Sequence, residues 1–188
     1  MKTRDLAYVA LFAAITAVLG LMPAIPVPAV PVPITAQTLG VMLAGAVLGA
    51  RRGFLAMLLF LVLVAIGLPV LAGGRGGLSV FVGPSAGFLY AWPLGALVTG
   101  LLTEAFWRRF NVAWALVATL TGGIVVIYAV GIPFLSVFAD VSLATAFTGS
   151  LVFVPGDVVK AVVAAAVAVA VRRAYPVIDR PRRVPATP

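Results

Sequence analysis

Apolar residues along this chain neither alternate nor keep to one helical stripe. They run in six blocks separated by short breaks. The first block covers about Leu6 to Met22 and stops at Pro23 to Pro33, a stretch rich in proline. The second runs from about Thr35 to Ala50 and ends at Arg51-Arg52. The third, from Phe54 to about Leu68, ends at Pro69 and Gly73-Gly74-Arg75-Gly76-Gly77. The fourth runs from Pro84 to Phe106 and ends at Arg108-Arg109. The fifth, about Val112 to Pro133, leads to a loop with Asp140. The sixth starts near Pro155 and ends at Arg172-Arg173. Blocks apolar on every side predict helices that cross a bilayer, which needs about 20 residues each. Prolines are expected at helix starts and breaks, where a missing N–H does least harm. The pattern predicts an all-α membrane bundle of six transmembrane helices. It forms one domain over residues 1–188, with a short basic tail from about residue 174.

Composition agrees with the pattern. The chain is 63% hydrophobic and 10% charged, with no cysteine or histidine, where a soluble domain is roughly a quarter charged. Disulfides, thiol catalysis, zinc sites and a Ser-His-Asp triad are thereby excluded. The net charge of +8 is informative through its placement. With the N-terminus inside, all Lys and Arg except Arg75 and Lys160 fall in cytoplasmic stretches or the tail, including Arg180, Arg182 and Arg183. This asymmetry predicts cytoplasmic N- and C-termini and a multi-pass protein of the cell inner membrane. The basic tail then reads as an orientation and lipid-surface feature, with no nucleic-acid partner. No Ala-x-Ala cleavage site follows the first block, so it is expected to remain as a span. No internal repeat marks the chain as an inverted-repeat carrier.

Ionisable side chains inside a bilayer are costly and therefore point to function. Asp157 and Lys160, three apart, share one face at the start of the sixth block. They form either a self-neutralising pair or the polar end of a binding site. The Asp would accept from N–H groups and the Lys would offer charge to a carboxylate. On the same outer side, Thr35, Gln37 and Thr38 open the second helix with polar side chains, of which Gln37 and Thr35 either cap it or donate into a pocket. Arg75 is either a solvated loop charge or a ligand contact. In Gly83-Pro84-Ser85-Ala86-Gly87 the glycines permit close backbone approach, but no P-loop ending is present. Phe88, Tyr90 and Trp92 read as interfacial aromatics. Ala10 and Ala14 lie on a small-residue surface that suits either packing within the chain or docking of a membrane partner. Gly45 and Gly49 read as an internal pair. With no nucleotide motif and no activated nucleophile, solute binding or transport fits better than an enzyme; an assembly protein whose Asp157 and Lys160 only neutralise each other is the alternative from another class.

Three segments together resemble a known family. They are Val32-Pro33-Ile34-Thr35-Ala36-Gln37-Thr38-Leu39-Gly40, Gly83-Pro84-Ser85-Ala86-Gly87-Phe88-Leu89, and Phe153-Val154-Pro155-Gly156-Asp157-Val158-Val159-Lys160. In order and spacing they resemble BioY, the biotin-binding S component of energy-coupling factor (ECF) vitamin transporters. Ser85-Ala86 stands where that pattern has Thr-Gly. The resemblance implies six helices and a biotin pocket near the outer face. It implies a transmembrane T component and two ABC-type ATPases as partners, docked through Ala10 and Ala14. Biotin would be cargo, with no resident cofactor and no metal. Asp157 would meet the ureido N–H groups or organise the polar end of the pocket, and Lys160 the valerate carboxylate. Gln37, Thr35, Arg75, Ser85, Gly87 and Tyr90 complete the implied site. An S component for another vitamin, such as thiamin or riboflavin, is the nearest alternative.

Overall fold

A computed structural model describes residues 2–27 and 31–178. The last ten residues, with Arg180, Arg182 and Arg183, lie outside the described residues, as do residues 28–30 within the proline-rich stretch. Eight α-helical segments are present among the described residues: α1 (Thr3–Gly20), α2 (Gln37–Leu48), α3 (Ala50–Ala65), α4 (Ala86–Ala105), α5 (Val112–Leu120), α6 (Ile127–Phe138), α7 (Leu143–Ser150) and α8 (Val154–Ala174). A π-helical turn, Thr121–Val126, joins α5 to α6, and a 3-10 turn, Leu151–Phe153, joins α7 to α8. The segments therefore make six rods. Four of them are long and apolar enough to cross a membrane: α1, α4, Val112–Phe138 and Leu143–Ala174.

The second and third predicted spans are shorter than expected. α2 has 12 residues and α3 has 16, or about 18 and 24 Å at 1.5 Å per residue. Two local causes account for this. The segment before α2 is irregular because it lines a cavity, the setting in which non-helical backbone is tolerated at membrane depth. At the other end, Gly49 has φ +85°, which reverses the chain in a single residue. The Arg51-Arg52 pair consequently lies in the first turn of α3, not in a loop. Two prolines also depart from expectation: Pro93 sits inside α4 and Pro133 inside α6. Neighbouring helices can satisfy the backbone groups such prolines leave open.

α2 is the buried centre of the bundle, with Gly40, Val41, Met42 and the run Ala44 to Leu48 all buried. Small residues set the close crossings. Gly45 faces Ala96 and Thr99 of α4, so its packing is internal as expected, and Gly100 of α4 meets the backbone of Gly49 and Ala50. A Cβ at residue 100 would overlap main-chain atoms, which cannot rotate away. Gly100→Ala is therefore expected to push α3 from α4 and destabilise the protein by about 2 kcal/mol. A thermal unfolding curve in detergent that does not shift downward would contradict this crossing.

Most of the charges among the described residues collect at one end of the bundle. Arg52 pairs with Asp5 at 2.9 Å and donates to the Val177 carbonyl. Glu104 accepts from the Ala50 N–H at 2.8 Å. Arg172 donates to the carbonyls of Trp107 and Phe110 and lies over both rings. These contacts join the start of α1, the α2–α3 junction, the end of α4 and the end of α8. The opposite end holds the cavity.

Candidate functional site

The cavity at that opposite end lies between the segment before α2, α4, α6 and the start of α8. Its wall is mainly apolar, formed by Val32, Ile34, Leu71, Phe88, Leu89, Trp92, Ile127 and Phe153. Phe88 stands edge-on to Tyr128 and to Phe153, with centroids 6.2 and 6.3 Å apart. Gly131 allows this arrangement, because a Cβ there would strike the Phe88 ring.

Four polar side chains from three rods meet in the wall. Lys160 Nζ lies 2.7 Å from Asp157 Oδ1 and donates to Thr38 Oγ1 at 3.0 Å. Thr38 in turn donates to Asp157 Oδ1 at 3.1 Å, and the Tyr128 hydroxyl donates to Oδ2 at 2.7 Å. Asp157 is 4% exposed. Such a charge is stable away from water only when paired and hydrogen-bonded, and here both carboxylate oxygens are engaged. The position of Asp157 in the first turn of α8 adds the favourable end of the helix dipole. Capacity remains in the cluster. Lys160 has three N–H donors and uses two of them, while a carboxylate offers about four lone-pair sites and three are taken.

The expected site residues distribute unevenly around this cluster. Asp157, Lys160, Gln37, Thr35, Arg75 and Ser85 all line the cavity. Gln37 is nonetheless fully committed to the protein. Its Nε2 donates to the Thr16 and Val70 carbonyls at 3.1 Å each, and its Oε1 accepts from the Ala72 N–H at 3.0 Å. Arg75 donates through Nε to the Ala72 carbonyl, its one side-chain hydrogen bond among the described residues. Gly87 and Tyr90 stand outside the lining. Gly87 packs against Phe134, and Tyr90 is exposed and donates to the Phe81 carbonyl at 2.6 Å. Phe88 and Trp92 are buried cavity walls, not interfacial aromatics. Ala86, the departure from the family pattern, is buried and also outside the lining. Tyr128 is the functional candidate that sequence reasoning missed. Ala10 and Ala14 lie on the exposed face of α1, whose inner face is Val9, Ala13, Thr16 and Gly20.

Taken together, the rods and the cavity define an all-helical, multi-pass membrane protein with a polar cluster set in a cavity at one end. The BioY family model matches residues 1–177, and the chain belongs to the BioY family. Among relatives, a biotin transporter BioY of Rhizobium etli is 54% identical over 95% of this chain and 98% of its own. Another from Rhodobacter capsulatus is 50% identical over 88% of this chain and 91% of its own. Among solved structures, the S-component for biotin from an ECF-type ABC transporter superposes with a TM-score of 0.87. It is 35% identical and covers 92% of this chain and 95% of that one. The resemblance carried by the three sequence motifs is thus borne out at the level of the family.

Proposed function

We propose that this chain is a biotin-binding S component that takes up biotin with an ECF module. The observation that carries this reading is the Asp157–Lys160–Thr38–Tyr128 cluster set in a mainly apolar cavity. Biotin has the complementary form: a urea with donors and an acceptor side by side, an apolar fused sulfur ring, and a chain ending in a carboxylate. One ureido N–H donates to the Asp157 carboxylate, and the spare Lys160 N–H donates to the ureido oxygen. The ring system rests on Phe88, Leu89, Trp92 and Phe153. The valerate chain follows Val32 to Thr35 toward Arg75. Lys160 already has Asp157 as its counter-ion, so Arg75 is the better partner for the carboxylate, with Ser85 and Thr35 as further polar wall. Gln37 serves by holding the 70–72 loop. Biotin is cargo here, and no resident cofactor or metal enters the reading.

The orientation proposed is N- and C-termini cytoplasmic in the inner membrane. It rests on the basic end of the bundle and on Arg75 at the other end. The whole chain acts as one domain. A T component and two ABC-type ATPases are the proposed partners, meeting the exposed Ala10 and Ala14 face, where small side chains allow close helix approach.

Equilibrium binding of labelled biotin to the purified protein in detergent tests the reading. A saturable one-to-one site is expected, and its absence in folded protein would overturn the biotin assignment. Arg75→Gln should weaken biotin about 10-fold. Biotin methyl ester, which lacks the carboxylate charge, should bind both forms alike. Equal loss for acid and ester would remove Arg75 from the carboxylate end.

A further inference from the structure

We infer that the Tyr128 hydroxyl holds the place of the ligand's N–H on Asp157 and, on binding, turns to the ureido carbonyl, so that it selects for a carbonyl at that position. This inference rests on the biotin reading above. Tyr128 lies in the first turn of α6, two residues beyond the π-helical segment, and belongs to the cavity wall. Its hydroxyl is 2.7 Å from Asp157 Oδ2, while Thr38 and Lys160 occupy Oδ1. Oδ2 therefore has a single donor, the one an arriving N–H replaces.

A cyclic urea carries each N–H beside its C=O on one edge, both directed the same way. When the N–H reaches Oδ2, the carbonyl oxygen comes beside the group already next to Oδ2, which is the Tyr128 hydroxyl. Rotation of the hydroxyl hydrogen about the C–O bond then exchanges one hydrogen bond for another. Oδ2 accepts N–H in place of O–H, and the carbonyl accepts O–H on the lone pair that Lys160 does not use. No charge moves and no buried group is left unpaired, so the exchange avoids the usual desolvation cost. The ring is held for this by Phe88 edge-on at 6.2 Å, so the phenol need only turn its hydrogen.

The test compares biotin with 2-iminobiotin, which replaces the carbonyl by a group that is protonated and donor-only at neutral pH. Any effect of Lys160 on the iminobiotin is present with or without the hydroxyl, so the change in the ratio isolates Tyr128. Tyr128→Phe removes one oxygen and keeps the ring. Biotin affinity should fall about 10-fold while 2-iminobiotin changes less than about 3-fold, and desthiobiotin, which keeps the urea, should follow biotin. Equal loss for all three ligands means a merely structural hydroxyl and overturns the inference, as does no loss for any. Should the Phe variant not fold, the structure of the unaltered protein with biotin decides. The Tyr128 oxygen must stand within hydrogen-bonding distance of the ureido oxygen, and a position remote from it overturns the inference. If the unaltered protein fails to bind biotin at all, it is the functional reading that falls, not the assignment of Tyr128 alone.

Discussion

Asp157→Asn is expected to weaken biotin binding by about 100-fold or more, through two separate losses. The charged acceptor for the ureido N–H is gone, and hydrogen bonds to charged groups are worth about 1.5–3 kcal/mol. An amide NH₂ placed toward Tyr128 and the ligand also sets donor against donor. The same change leaves the Lys160 ammonium, whose side chain is 15% exposed, without its counter-charge. Breaking a buried pair from one side costs about 3–5 kcal/mol, so the thermal midpoint in detergent should fall as well. Asp157→Asn with Lys160→Met separates the two effects. Removing both charges should restore much of the stability, since an uncompensated ion is no longer buried, but not the binding. Binding measured by equilibrium dialysis that survives in the double variant would reduce the pair to a salt bridge within the fold.

Gln37→Leu should be nearly as damaging, by a route that spares the charged cluster. Gln37 is 1% exposed, and its amide links α1, α2 and the 70–72 loop through three hydrogen bonds. Leucine fills similar space but leaves the part-buried Val70 carbonyl and the buried Ala72 N–H without these partners, the latter at about 1–3 kcal/mol. A stability loss of about 3 kcal/mol is expected. The loop that positions Leu71 and Arg75 in the cavity wall is then released, and biotin affinity should drop about 10-fold. Hydrogen exchange gives the specific readout, because the Ala72 amide should lose its protection while amides in α4 keep theirs. Unchanged protection at Ala72 would show that the loop is held by something other than Gln37.

The same residues mark what could be read from the chain alone. Asp157 and Lys160 were legible because charge inside an apolar block needs a reason, and a spacing of three puts them on one helical face. The Pro31 to Thr38 segment was legible as polar side chains at membrane depth, and it supplies Thr38 and Gln37. That Gln37 would bridge three elements was not legible, because its partners are backbone groups, which every residue carries. Tyr128 was hidden for another reason. It lies in a run that is apolar all round, where no periodicity distinguishes an inward from an outward aromatic. The π-helical turn before it adds a residue to the turn and shifts the register of α6, marked in the sequence by little more than Gly122-Gly123. Helix α7 also escaped notice, although Ser142 caps it by accepting from the Thr145 N–H at 3.1 Å, a signal that a search for N-caps could have caught.

Sequence by itself determined that the chain is a helical membrane bundle, how many rods it has and at which end its basic residues gather. Those properties depend on the length of apolar blocks and the position of charges, both local and additive. Tertiary structure decided which rods touch, which helices are shortened and which aromatic meets Asp157. In a bilayer the lipid-facing and protein-facing surfaces are alike apolar, so the hydrophobic pattern gives helices without giving them an inside. Close packing at glycines such as Gly45 and Gly100 sets the neighbours, and only then do Thr38, Tyr128, Asp157 and Lys160 come together.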